Sequence, residues 1–351
     1  MSVNPQAKDE PRVNEESRRA RIWRILRPIV LLVVAFLVAR IIIGIVGAID
    51  WPAVWAAMGL LTVPAVVLLL LALACRQMFN AVPLTRFVPG LSLARSVKND
   101  LTAFLIGTVA PPPSDVVLRV SMFRSWGIDP VEGMAGVTLN MLVFYVVRFA
   151  APALGLLLLA FEEVEAGRVW LAVASVIIAI AILVALVSIS RGDRLATVIG
   201  YSAGRVAARF RSDVDPGAWA EAVVDFRGRV GDRVKTGVAP SLLSLFAMVL
   251  SDSVILLITL RTVGVDSQGL PANVIIGAFL LAYPLTLFPM AGLGILDAVL
   301  VAAWTATAGI EFEAQIVAAL IIWRVVSLLV PIALGAVALL AWRRSAWHAS
   351  V

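Results

Sequence analysis

Two long apolar stretches of this chain are each interrupted by proline or glycine beside a carboxylate. The first covers 99–124, NDLTAFLIGTVAPPPSDVVLRVSMFR, and the second covers 271–300, PANVIIGAFLLAYPLTLFPMAGLGILDAVL. Such an interruption in a membrane helix frees backbone N–H and C=O groups, which lipid cannot satisfy, so it occurs only where protein or a wet cavity surrounds it. Two broken segments in the two halves of a chain are typical of a transport site near the bilayer midplane.

The composition indicates that both stretches belong to a membrane protein. Hydrophobic residues make up 61% of the 351 residues, charged residues 15%, and the mean hydropathy is +0.98. A soluble domain has about 45–50% apolar and about 25% charged residues. We therefore expect an all-α polytopic membrane protein with two broken or re-entrant helical hairpins. Apolar runs long enough to cross a bilayer predict about six further full spans at 28–49, 54–75, 132–160, 168–190, 238–260 and 314–341.

The basic residues predict a topology. Most of the 29 Lys and Arg lie in segments that one topology places on the same face, namely 1–27, 76–98, 191–235 and 343–344. The positive-inside rule makes that face cytoplasmic, with both termini cytoplasmic and the acidic segment 161–167 outside. The two broken segments then enter from opposite faces, as in an inverted repeat; a shallow full crossing by each stays open. The predicted location is the bacterial inner (cell) membrane.

Three regions follow from this pattern. Residues 1–25 are predicted to be a disordered cytoplasmic tail, 26–342 the membrane domain and 343–351 a cytoplasmic C-terminal tail. The stretch 191–235, inserted within the membrane domain, repeats apolar residues at steps of three and four beside many arginines. This pattern predicts two amphipathic helices on the cytoplasmic leaflet, with a solvated linker as the alternative.

The sequence argues against several classes of function. One cysteine, Cys75, and one histidine, His348, cannot form a disulfide or a Cys/His metal site. No phosphate-binding P-loop occurs, and no catalytic constellation is found, so we expect no metal, no cofactor and no enzyme activity. The net charge of +6 lies in segments that flank the predicted spans, so it indicates a membrane surface and not nucleic acid.

Arginines inside apolar spans are the first candidate binding residues, because each costs about 2.5–3.5 kcal/mol at a helix centre. Arg148 and Arg324 are the main candidates, and Asn140 precedes Arg148 on the same helical face. Arg40 is expected to reach the outer surface by snorkelling. The intramembrane acids that could pair with these arginines, in a binding site or in purely structural ion pairs, are Asp115, Asp252 and Asp297.

The two interruptions supply the remaining candidates. In the first, prolines end one half-helix and polar residues begin the next: Pro111, Pro112, Pro113, Ser114, Asp115 and Arg119. The Asp115–Arg119 spacing allows either a local i,i+4 bridge or a phosphate site at a helix N-terminus. In the second, a proline and two glycines allow a sharp turn before an acid: Pro289, Gly292, Gly294 and Asp297.

These motifs resemble the flippase-like membrane domain of lysylphosphatidylglycerol synthases and its stand-alone relatives. The resemblance rests on the stretch 99–126, on PMAGLGILDAVL with its Asp297, and on WRVVSLLVPIALG with its Arg324. It covers roughly residues 25–340. The chain departs from the pattern at the prolines of the first break, at Ala291, where the family has glycine, and at Asp297, where glutamate is usual.

The resemblance implies lipid translocation between leaflets without lipid synthesis. The expected substrate has a phosphate-containing headgroup: an anionic phospholipid, a glycolipid or a polyprenyl-phosphate-linked sugar. The alternatives are a membrane-embedded glycosyl or phosphatidyl transferase and a structural partner of a cell-envelope glycosyltransferase or synthase. Homo-oligomerisation stays open.

Overall fold

The computed structural model describes residues 50–111, 113–160, 166–209, 211 and 214–348. All regular structure within these ranges is helical, which confirms the all-α prediction. The chain divides into two compact units, Met1–Trp51 and Pro52–Val351, and the description below concerns the second. The predicted tail 1–25, the span 28–49 with Arg40, and Pro112 lie outside the described residues, as does most of the acidic segment 161–167.

Twelve helices are described in these ranges. In chain order they are α1 (Trp51–Met58), α2 (Val63–Phe87), α3 (Leu93–Val109), α4 (Ser114–Ser125), α5 (Pro130–Leu158), α6 (Ala166–Arg191), α7 (Asp193–Ala208), α8 (Pro216–Thr262), α9 (Ala272–Ala282), α10 (Ile295–Ala308), α11 (Glu313–Arg324) and α12 (Val330–His348). A 3₁₀ turn, Tyr283–Leu287, and a four-residue turn, Pro289–Gly292, separate α9 from α10, and a π-helical turn, Val325–Leu329, joins α11 to α12.

The chain is a multi-pass membrane protein. Six helical segments among the described residues are long and apolar enough to cross a bilayer: Val63–Phe87, Pro130–Leu158, Val169–Arg191, Pro216–Thr262, Pro289–Ala308 and Ile310–Ser345. Large apolar side chains such as Trp170, Leu171 and Ile177 are exposed on α6. A lipid environment accommodates such a surface, whereas water would not.

Two predicted boundaries are wrong. The span predicted at 54–75 instead begins at Val63 and continues to Phe87 as α2, so Arg76 lies inside a helix and not in a flanking loop. It can lie there because a buried aspartate neutralises it. Likewise, the second predicted amphipathic helix is not separate, because Pro216–Thr262 forms one 47-residue helix that includes the span at 238–260. The first, α7, packs along α8, where Asp193 pairs with Arg227.

Both broken segments fold as helical hairpins. In the first hairpin, α3 and α4 run antiparallel, so that residues near the start of α3 contact residues near the end of α4. In the second hairpin, α9 and α10 contact each other across the two short turns. Passage of either hairpin partway into a bilayer stays a prediction, as does the inverted repeat.

Small residues set the position of the second hairpin. A Cβ atom on Gly155 of α5 would overlap the backbone of Gly277 and Leu281, so glycine lets α5 and α9 approach closely. Such small-residue contacts are typical of helix packing in membranes. This contact brings the second hairpin beside α5, the helix that carries Arg148.

Candidate functional site

A polar cavity of about 240 Å³ lies between the apolar helices. Its walls come from helices α2, α3, α5, α8, α9, α11 and α12 and from the turns at 283–291 and 325–329. Its polar lining consists of Arg76, Gln77, Asn80, Asp100, Arg148, Asp252, Tyr283, Thr286, Arg324 and Ser327. Four aromatic side chains also line it: Phe104, Phe144, Phe279 and Trp323. Both hairpins therefore border one cavity.

The first charged pair joins the two central helices. Arg76 of α2 donates from Nε to Oδ1 of Asp252 on α8 at 2.7 Å, and the Asp252 side chain is only 4% exposed. Arg76 also donates from Nη1 to Gln77 Oε1 at 2.6 Å. A charge buried in an apolar helix is tolerated when it is paired and hydrogen-bonded. Sequence reasoning missed Arg76 because it was counted with the cytoplasmic basic residues.

The second pair lies within the first hairpin. Arg119 of α4 donates to Asp100 Oδ1 of α3 at 3.2 Å and also to the side-chain oxygen of Asn99. Of the two possibilities that the Asp115–Arg119 spacing allows, the local bridge is wrong, because the neighbouring helix offers Arg119 a carboxylate that is only 10% exposed and an amide. Nor does Asp115 cap α4, which begins without a side-chain cap.

The third pair holds the turn of the second hairpin. Arg324 donates from Nε to Asp297 Oδ1 at 2.8 Å and from Nη1 to the carbonyl oxygen of Ala291 at 3.2 Å. The other carboxylate oxygen of Asp297 accepts from the Gly294 N–H at 2.7 Å. The prediction that Asp297 pairs with an intramembrane arginine is thus confirmed for Arg324.

The backbone of this turn is strained. Met290 and Ala291 have φ angles of 51° and 54°, in the left-handed region, and Gly292 and Gly294 have 74° and 84°. Left-handed conformations of non-glycine residues cost about 1–3 kcal/mol each and persist only when the surroundings enforce them. Here Arg324 contacts both the strained Ala291 and the acid that follows it.

Arg148 differs from the other three arginines. Its guanidinium lies over the Phe144 ring, 4.6 Å from the centroid, and 5.7 Å from that of Tyr145. Among the described residues it forms no ion pair, and its buried Nε has no hydrogen-bond partner. Cation–π contacts compensate a charge only partly. Arg148 is thus the cavity arginine left without a counter-charge by the described part of the chain.

The predicted site residues fall into three groups. Arg148 and Arg324 line the cavity, while Arg119 and Asp297 lie behind it and bind lining residues. Asn140 and Asp115 do not line it, although Asn140 Oδ1 is buried without a partner among the described residues. The predicted breaks at Pro111, Pro113, Pro289, Gly292 and Gly294 lie at or beside the two hairpin turns.

Asp100, Asn80 and Gln77 are lining residues that sequence reasoning did not select. These residues could have been found in the sequence. Like Arg148, each is a polar residue that interrupts an apolar helix away from its ends. Within the described ranges, no group of three or more His, Cys, Asp or Glu side chains is placed to hold a metal ion.

One family model matches this chain. It is described as the lysylphosphatidylglycerol synthase TM region, and the match covers residues 24–335, which include the cavity and both hairpins. No curated protein matches the chain.

Proposed function

Because the chain belongs to the family of the lysylphosphatidylglycerol synthase TM region, we propose that it is a lipid translocase of the bacterial inner membrane. In this proposal it moves a lipid with an anionic, phosphate-containing headgroup between the leaflets. Both termini are cytoplasmic, and the two hairpins enter the bilayer from opposite faces.

The single observation that carries this proposal is Arg148, which lines a cavity between apolar helices and has no ion-pair partner among the described residues. An uncompensated charge inside a membrane is costly, so its retention argues for a function. A phosphate oxygen would give Arg148 both a counter-charge and charge-assisted hydrogen bonds, which are about twice as strong as neutral ones. The phosphate would therefore bind most strongly at Arg148, whose charge has no ionic partner among the described residues.

The same geometry gives a translocase more support than a transferase. A general base or a metal-binding acid must be free to act on the substrate. The three carboxylates at the cavity, Asp100, Asp252 and Asp297, are instead engaged by arginines. The turn of the second hairpin would provide the moving part that alternating access requires.

Reconstitution tests this proposal directly. Purified protein in liposomes with acyl-chain NBD-labelled phosphatidylglycerol should let dithionite quench the inner-leaflet probe. The Arg148→Gln variant should move this lipid roughly 10- to 100-fold more slowly, because a hydrogen bond to a charged group contributes about 1.5–3 kcal/mol. The matched control is Arg124→Gln, which removes the same charge from an exposed position.

Stability measurements separate binding from folding. Arg148→Gln should keep or raise the melting temperature, because it removes a partly buried charge that has no ionic partner among the described residues. A wild-type rate in the folded variant would refute the role of Arg148. Accumulation of a new lipid species, detected by mass spectrometry, would support the transferase instead.

A further inference from the structure

We propose that the cavity selects a phospholipid whose headgroup carries one negative charge and otherwise only uncharged hydroxyl groups. The chemical class is a phosphodiester of a small polyol. Headgroups with an ammonium group, whether zwitterionic or cationic, are rejected. This inference rests on the proposed function, since it names the substrate class of the same site.

The net charge of the cavity sets the charge of the headgroup. Its four arginines, counting Arg119 behind Asp100, stand against three aspartates, so the described residues at the site carry a net charge of +1. A phosphodiester, with one negative charge, makes this site neutral. A phosphomonoester, with a charge of about −1.5 to −2, would leave excess negative charge in a poorly hydrated place, which is unfavourable.

Among the described residues of the cavity, an ammonium group would meet no carboxylate that is not already bound by an arginine. Each carboxylate already accepts from an arginine: Asp252 from Arg76, Asp100 from Arg119 and Asp297 from Arg324. Aromatic faces are the other common ammonium site. The ring of Phe144 is covered by Arg148 at 4.6 Å, and that of Trp323 by Arg324 at 4.4 Å. Phe104, Phe279 and Tyr283 also line the cavity, but an ammonium group beside them would add to a site that already carries a net positive charge, which is unfavourable.

Uncharged polar groups supply the partners that hydroxyls need. The neutral polar side chains of the lining are Gln77, Asn80, Tyr283, Thr286 and Ser327. Ser327 Oγ is buried without a partner among the described residues. Thr286 Oγ donates to the Tyr283 carbonyl, which leaves its lone pairs free to accept from a ligand hydroxyl.

The volume limits the size of the headgroup. At about 30 Å³ per water in the liquid, a cavity of about 240 Å³ has room for roughly eight waters. A phosphate with a polyol of a few carbons occupies a similar space. A long sugar chain would extend beyond the cavity.

A transport comparison in proteoliposomes tests the selectivity. Four acyl-labelled lipids are compared: phosphatidylglycerol, phosphatidylethanolamine, phosphatidic acid and lysylphosphatidylglycerol. Phosphatidylglycerol should move at least tenfold faster than the other three. Equal or faster movement of either ammonium-bearing lipid would overturn the inference while leaving the translocase proposal intact.

A binding measurement separates the selectivity proposal from the translocase proposal, because it does not depend on transport. Native mass spectrometry of the detergent-solubilised protein with an equimolar mixture of these lipids should show bound phosphatidylglycerol in excess. Selective binding without transport would keep the inference and refute the translocase. Unselective binding would overturn the inference.

One variant should shift the selectivity in a defined direction. Asp252→Asn leaves the charge of Arg76 uncompensated, so the net charge of the site rises by one and phosphatidic acid should gain at least tenfold relative to phosphatidylglycerol. The control, Asp225→Asn, makes the same change at an exposed position. An unchanged preference in a folded Asp252→Asn protein would contradict the charge argument, and the wild-type comparison decides the matter if that variant does not fold.

Discussion

The two helical hairpins have similar sequence signatures and different constructions. The first, α3 and α4, is closed by its own residues: Arg119 binds Asn99 and Asp100, and the Ser114 hydroxyl donates to the Pro111 carbonyl at 2.6 Å. No described residue of its turn lies in the left-handed region, since φ is −118° at Ala110 and −102° at Pro113.

The second hairpin depends on a residue outside it. Its turn contains two non-glycine residues in the left-handed region, Met290 and Ala291, and Arg324 of α11 contacts both Ala291 and Asp297. Because Arg324 also lines the cavity, whatever binds there acts on the residue that holds the strained turn. Asp100 of the first hairpin also lines the cavity, but its partner Arg119 belongs to the same hairpin. We therefore expect the first hairpin to act as a fixed wall, and the second, whose left-handed turn is held from outside, to change shape with what the cavity binds.

The largest expected effect on stability comes from removing Arg324, the residue outside the second hairpin that holds its turn. Arg324→Gln should lower the free energy of unfolding by about 3–5 kcal/mol, since it leaves Asp297 without its partner in a mostly buried place. Arg119→Gln, its counterpart in the first hairpin, should cost about 1–3 kcal/mol, as for a lost buried hydrogen-bond partner. Denaturant titrations in detergent micelles measure both. Equal losses would show that the hairpins are held alike.

The next largest effect is expected when a methyl group is added to a glycine of each hairpin. Gly292→Ala adds a Cβ to a residue with φ of 74°, where it would meet the Leu285 carbonyl. Strain and overpacking each cost about 1–3 kcal/mol, so we expect a loss of about 2–6 kcal/mol in the free energy of unfolding. Gly107→Ala in α3 is the control, because a Cβ there makes only ordinary contact with Asp115 and alanine favours a helix by about 0.5–1 kcal/mol. A tolerated Gly292→Ala would contradict the observed turn.

Relieving the backbone strain at Ala291 should have a smaller effect on the free energy of unfolding, and of the opposite sign. Ala291→Gly should stabilise the protein by up to about 1 kcal/mol, because glycine adopts positive φ without steric cost. Ala110→Gly should instead destabilise it by about 0.5–1 kcal/mol, since φ is negative there and glycine adds only unfolded-state entropy. Melting temperatures of the two variants give the signs. If both alanines respond with the same sign, the turn of the second hairpin is not strained.

The sequence predicted the residues whose signal is local. Arg148 and Arg324 stand out because arginine is costly in an apolar span, and Asp297 stands out because it follows a proline–glycine break. Both breaks stand out by their prolines and glycines, and the hairpins followed from the topology that the basic segments of the chain predict. The charged residues and the breaks can each be recognised from a short stretch of sequence.

The partners could not be predicted in the same way, because they come from distant helices. Spacing favoured Asp115 for Arg119, yet Asp100 on α3 binds it. Arg76 was assigned to the cytoplasmic face, because charge counting ignores how far a helix continues. The left-handed conformation of Met290 and Ala291 could not be predicted from their residue types, because glycine is the residue that typically indicates a positive φ.

The smallest effect is expected at Asp115, which together with Asp297 made the two hairpins look alike in sequence. Asp297→Asn removes the charge that Arg324 binds and weakens the contact to the Gly294 N–H, so it should cost about 1.5–3 kcal/mol. Asp115 has no hydrogen bond or ion pair among the described residues, and its remaining contribution is the favourable position of a negative charge in the first turn of α4, worth about 0.3–1 kcal/mol. Asp115→Asn should therefore change the free energy of unfolding by less than about 1 kcal/mol and leave the rate of lipid transport at the wild-type value. A transport defect in Asp115→Asn comparable with that of Arg148→Gln would show that the lipid contacts the turn of the first hairpin during its passage, and that this hairpin is not a fixed wall.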